Sequence, residues 1–163
     1  MKKSLFAVVI LLMLLLLVQP ADALLTPDTE AFQGYLTASL VPGGASGFAV
    51  SGQLGLWESL AVFGQLGDPY NRLGGKVQLN PYLALTAGYL INRSIFLGIN
   101  LQRKLAEKFT GAADLALAAP LEEAALAYEL GLIYQMPENL DVRISLQGLA
   151  RDYNLKLGLG YNF

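Results

Sequence analysis

The chain contains no cysteine and no histidine among its 163 residues. Without cysteine there is no disulfide framework, no lipidated N-terminal cysteine, no reactive thiol and no thiolate metal site. Without histidine, the commonest general base is missing, along with the nucleophile–histidine pairs built on it. A serine assisted by lysine or by a carboxylate pair remains as chemistry, but Asp114, Glu129 and Asp141 form no arrangement visible in the sequence. Charge is also scarce: 15% of residues, with 11 basic against 13 acidic side chains. Nucleic-acid binding rests on a basic excess that this chain lacks. The glycine-bearing stretches PGGASG (42–47) and GLGYNF (158–163) are turn and strand glycines, and neither opens a phosphate-cradling helix. Enzymatic activity, a metal and a cofactor are therefore not expected.

What is abundant is apolar surface, at 54% of residues. Part of it lies in the opening MKKSLFAVVILLMLLLLVQPADA, where two lysines precede a 14-residue apolar run from Leu5 to Val18 and an Ala-x-Ala site at 21–23. This is the pattern of a secretory signal peptide, and the run is short of the ~20 residues a membrane-spanning helix needs. Residues 1–23 are expected to be a cleaved signal peptide and residues 24–163 a single domain. Losing Lys2, Lys3 and Asp22 leaves 9 basic and 12 acidic side chains, a net charge of −3.

Through the remainder runs a period of two, the mark of extended strands with unlike faces. At the end of the chain Tyr153, Leu155, Leu157, Leu159, Tyr161 and Phe163 alternate with Asn154, Lys156, Gly158, Gly160 and Asn162. Leu140, Val142, Ile144 and Leu146 alternate with Asp141, Arg143, Ser145 and Gln147, and the pattern recurs back to Phe32. Turn residues punctuate it at Pro42–Gly47, Gly67–Asn71, Asn80–Pro81, Asn92–Arg93 and Pro137–Asn139. The Ala- and Leu-rich segment Phe109–Leu130 favours helix by propensity. Pro120 breaks it, however, and its alternation matches that of its neighbours, so it reads as two strands. The expectation is an all-β, closed, up-and-down antiparallel barrel of about ten strands. Merging or splitting Phe109–Met136 would make eight or twelve.

Such a barrel can be built with its apolar face inward around a greasy ligand or outward into lipid. A solvated outer face should be rich in Lys and Glu. Here the polar parity is mainly Gly, Ala, Ser, Thr, Gln and Asn, small groups suited to a crowded interior. The charges assigned to strands, Lys76, Asp114, Glu129, Asp141, Arg143 and Lys156, all share that parity. Other charges, among them Arg72, Arg103 and Lys104, are assigned to strand ends and turns. Aromatics bunch towards two rims, with Trp57, Tyr82, Phe109, Tyr134, Tyr161 and Phe163 at one and Phe48, Tyr70, Tyr89 and Tyr153 at the other. Two such girdles mark the interfaces of a membrane barrel.

With its aromatic or aliphatic parity and terminal Phe163, the stretch Tyr153–Phe163 resembles the final strand of small bacterial outer-membrane β-barrel proteins. That resemblance implies export to the outer membrane and contact with its lipid. It further implies that Tyr153, Leu155, Leu157, Leu159, Tyr161 and Phe163 act as the handle read by the barrel-assembly machinery. Enzymes of this class use histidine-assisted hydrolysis, which this chain lacks, and the short loops do not suit an adhesin. The functional expectation is a structural or narrow-pore barrel whose lumen is lined by the six strand charges, with a ladder across Glu129, Arg143 and Lys156. The alternative is a soluble periplasmic barrel carrying an apolar ligand inside.

Overall fold

A computed structural model describes residues 32–68, 70–91, 94–119, 125–149 and 152–163. The signal-peptide segment 1–23 lies outside the described residues, as do the turn positions Asn92, Arg93 and Pro120. The described residues form ten strands: β1 Gly34–Leu40, β2 Phe48–Trp57, β3 Leu60–Gly67, β4 Arg72–Asn80, β5 Leu83–Leu90, β6 Ser94–Ala106, β7 Phe109–Ala119, β8 Ala125–Gln135, β9 Leu140–Leu149 and β10 Asp152–Asn162. Each pairs antiparallel with its sequence neighbours, and β1 pairs with β10 from Tyr35↔Asn162 to Leu40↔Leu157, which closes the barrel. Closure removes both sheet edges, so the apolar final strand is left with no unpaired side. The strand count is ten, and Phe109–Leu130 is strand on both sides of Pro120.

The two ends differ. At the terminal end, where β1 begins and β10 finishes, the connections are tight, such as Glu58–Ser59 and Glu107–Lys108, and Gly34 exchanges backbone hydrogen bonds with Phe163 at 2.8 and 2.9 Å. At the opposite end the β1–β2 and β3–β4 connections dock on each other. The Asp68 carboxylate accepts from the amides of Ala45, Ser46 and Gly47 at 3.0, 2.7 and 2.9 Å and from the Ser46 hydroxyl at 2.7 Å. This concave run of amides suits an anion. Gly67 turns the chain into the second loop at φ 107°, and a Cβ there would run into the Phe48 carbonyl. No other residue type fits that position without strain.

Alternation assigns the two faces. Leu36, Leu66, Leu73, Leu97, Leu117, Ile144, Leu157 and Leu159 point outward and are exposed, whereas Thr37, Lys76, Thr86, Asp141, Gln147 and Lys156 point inward and are buried. Large apolar groups outside and polar groups inside reverse the arrangement of a water-soluble protein. Trp57, Phe109, Tyr161 and Phe163 are exposed near the terminal end, and Phe48, Tyr89 and Tyr153 near the opposite one.

Tyr70, Arg103 and Lys104 differ from the sequence expectation. Tyr70, assigned to a rim girdle, is only 8% exposed and joins a cluster with Phe63, Leu90, Phe96, Ala127 and Leu149. It sits on the β3–β4 connection rather than on a strand, so strand parity does not govern its direction. Arg103 and Lys104 lie within β6, three and two residues short of its end, because β6 runs on to Ala106. Arg103 shares the outward parity of Leu97 and Leu101, close to the rim.

Candidate functional site

The candidate site is the barrel lumen, and inward parity delivers its side chains. Of the strand charges, Lys76, Asp114, Glu129, Arg143 and Lys156 line its cavity, and Asp141 is buried. They do not form the expected ladder. Lys156 reaches over β9 to Glu129, with Nζ 3.0 Å from Oε1, and Ser145 on the intervening strand donates to the same oxygen at 2.8 Å. Arg143 pairs with Asp141 two residues away on its own strand, through Nε at 2.6 Å and NH2 at 2.8 Å, and lies 4.1 Å over the Tyr35 ring. Asn162 also donates to Asp141, at 2.9 Å. A bidentate guanidinium–carboxylate fork is the strongest geometry open to Arg143. Residues i and i+2 share a strand face, so Asp141 was the nearer partner.

Arg72 organises the centre, a role the sequence reading missed by placing it at a strand end. From the first position of β4 its NH1 lies 3.1 Å from Asp114 on β7, and its NH2 lies 3.7 Å from Glu129 on β8. The shared parity of residues 72, 74, 76 and 78 was the available signal. Asp114 and Glu129 are direct cross-strand partners, and two carboxylates at that spacing repel unless a cation bridges them. Arg72 also lies 5.3 Å over Phe63 and 5.9 Å over Tyr70. Asn100 donates to Asp114 at 3.4 Å.

These contacts join strands that are not neighbours. Gln65 on β3 and Gln147 on β9 exchange amide hydrogen bonds at 3.2 and 3.0 Å, both fully buried, so the brace crosses the barrel from wall to wall. The Arg72 contacts make a second brace, from β4 to β7 and β8. Towards the end where β1 finishes and β10 begins, the cluster of Phe63, Tyr70, Leu90, Phe96 and Leu149 fills the interior with apolar groups. Gly74 makes room for it, since a Cβ there would stand 2.9 Å from Phe63 and 3.0 Å from Phe96. A cavity of ≈ 90 Å³ remains, lined by Lys76, Thr86, Gln53, Thr37, Asp114 and other inward groups. That is room for a handful of water molecules.

Asp68 lies outside this network, at the loop end. Desolvation pushes its carboxyl up, but the hydrogen bonds from Ser46, Gly47 and Ala45 together hold it below the usual carboxylate value. Among the described residues no group of three or more metal-ligating side chains is found.

Fold and interior define a closed up-and-down antiparallel barrel with an apolar coat and an ion-paired polar lumen. No protein-family model matches the chain, and no curated protein matches it in sequence. Solved structures with a similar barrel include the KdgM porin, at 11% identity and TM-score 0.48, with 80% of this chain and 99% of that one aligned. The KdgM porin in complex with disordered oligogalacturonate aligns at 12% identity and TM-score 0.49, again over 80% and 99%. A de novo designed transmembrane β-barrel aligns at 12% identity and TM-score 0.45 over 82% and 98%. At such identities the likeness extends to barrel architecture alone.

Proposed function

We propose that the protein is a non-enzymatic β-barrel of a bacterial outer membrane, a rigid narrow-bore element that passes at most water and small ions. The observation that carries this reading is the pairing of an apolar exterior with a lumen braced side to side by Arg72 and by Gln65–Gln147. Strands of about ten residues tilted by ~40° span roughly the 25 Å apolar band of such barrels. In this reading the coat faces lipid and the two sets of exposed aromatics lie at its interfaces. Tyr153, Leu155, Leu157, Leu159, Tyr161 and Phe163 then serve as the outward face of the closing strand and as the handle for the barrel-assembly machinery. The alternative, a soluble periplasmic carrier, calls for an apolar interior and a charged coat, and the burial pattern favours the opposite assignment.

Fractionation of the native cell envelope separates the two. The membrane barrel stays with the outer-membrane fraction until detergent is added and migrates faster on a gel before heating than after. The soluble carrier appears in the osmotic-shock fluid, and finding it there overturns the proposal. In planar bilayers the wild-type protein is expected to give small steps at most, and variants lacking the braces, such as Gln65→Ala, larger ones.

A further inference from the structure

The three inward carboxylates are matched one for one by cations: Asp114 with Arg72, Glu129 with Lys156, and Asp141 with Arg143. Lys76 is a fourth inward cation away from the rim, where Lys104 shares the inward parity, and is 3% exposed and deep in the barrel. No carboxylate oxygen of the described residues lies within 4 Å of its Nζ, and its one hydrogen bond runs to Gln53 Oε1 at 3.4 Å, reaching across the small buried Ala61 of β3. An ammonium carries three donors, and one long bond to a neutral amide leaves most of that capacity unused and the charge without a counter-ion in contact. Around it stand further unmatched groups. Thr86 is the direct cross-strand partner of Lys76, and its Oγ1 is buried with no protein partner. The Oγ1 of Thr37, on the wall of the same cavity, is in the same condition.

We propose that Lys76, Thr86 and Gln53 form a lumenal binding site for one small inorganic monovalent anion of halide size. The sign follows from the group left over: the centre of the site is an unmatched cation, and the hydroxyls beside it can turn their protons towards an anion. Size follows from the cavity, ≈ 90 Å³, which takes a halide with part of its hydration shell. A single negative charge completes the count of lumenal ion pairs, whereas a divalent anion would leave an excess beside Asp114. Water alone would satisfy the donors but not the charge.

The test uses the full mature chain in detergent, with bromide replacing gluconate at constant ionic strength while thermal unfolding is followed. A ligand bound only by the folded state raises the midpoint with its concentration. The wild-type midpoint is expected to rise and level off with bromide. The Lys76→Met midpoint should be indifferent to bromide, and Thr86→Val should reach half-response at several-fold higher bromide. A bromide anomalous peak within hydrogen-bond reach of Lys76 Nζ in crystals is the matching structural result. An equal bromide response in wild type and Lys76→Met, or none in wild type, overturns the proposal. If Lys76→Met does not fold, an unchanged half-response in Thr86→Val overturns it instead. Neither measurement needs a membrane or conduction, so the outcome is independent of the fractionation test above.

Discussion

Replacing Arg72 by alanine is the most telling single perturbation of the lumen. The guanidinium separates Asp114 from Glu129, which face each other across β7 and β8, and its side chain is only 11% exposed. Its loss leaves Asp114 with Asn100 as its hydrogen-bonding neighbour and Glu129 dependent on Lys156 and Ser145. Removing one partner of a buried ion pair costs about 3–5 kcal/mol. Water entering the space vacated by the side chain lowers this towards the bottom of that range. Lost contacts over Phe63 and Tyr70 add about 0.5–2 kcal/mol, so a net loss of about 3.5–5 kcal/mol is expected. Reversible urea unfolding from lipid vesicles, followed by Trp57 fluorescence, measures it.

A companion double variant, Arg72→Met with Asp114→Asn, removes both partners and leaves Glu129–Lys156 intact. It should recover at least half of the loss, because replacing a whole buried pair is far less costly than breaking it. A loss under about 0.5 kcal/mol for Arg72→Ala would refute a central role for the guanidinium. A double variant weaker than the single would refute the charge-pairing account of that role.

Three further outcomes follow from the same geometry. Because the folded Asp68 carboxyl lies below its unfolded value of ~3.9, its contribution is fully present above that value and is lost as pH falls through the folded one. Limited proteolysis of the Pro42–Gly47 loop should therefore accelerate in acid for wild type, while Asp68→Asn should be cleaved readily at all pH values. Ile144 sits outward in the middle of β9, and Ile144→Arg should weaken folding into vesicles by ~2–4 kcal/mol if that face meets lipid; an effect near zero would remove the lipid-facing assignment. Gly160→Ala drives a Cβ into the Asp141 carboxylate and should loosen its fork with Arg143, at a cost of about 1–3 kcal/mol in the same unfolding assay. A Gly160→Ala protein as stable as wild type would show that Asp141 moves aside freely.

Much of this architecture is legible in one dimension because a strand's period is 2 and its two faces differ. Alternation at Tyr153–Phe163 and Leu140–Gln147 assigns each side chain to a face with no knowledge of its neighbours, and one residue of slip would reverse every assignment. Position within a strand is also visible from turn residues, although β6 ran past Arg103 and Lys104 because no glycine or proline stops it before Glu107. Tyr70 escaped the same reasoning, since a residue on a loop has no parity.

Sequence alone determined which strand face each of the six strand charges occupies, that the chain forms a meander of antiparallel strands, and that charges shun the apolar face in the middle of the strands. Those properties are local, set by neighbours one and two residues away. Only the closed barrel decided who pairs with whom: Arg72 with Asp114 and Glu129, Gln65 with Gln147, Lys156 with Glu129 and not Arg143, and Lys76 with no carboxylate. Partners across a lumen belong to strands that are not sequence neighbours, and their approach depends on barrel width and strand stagger. Both are properties of the closed sheet as a whole, which no local pattern encodes.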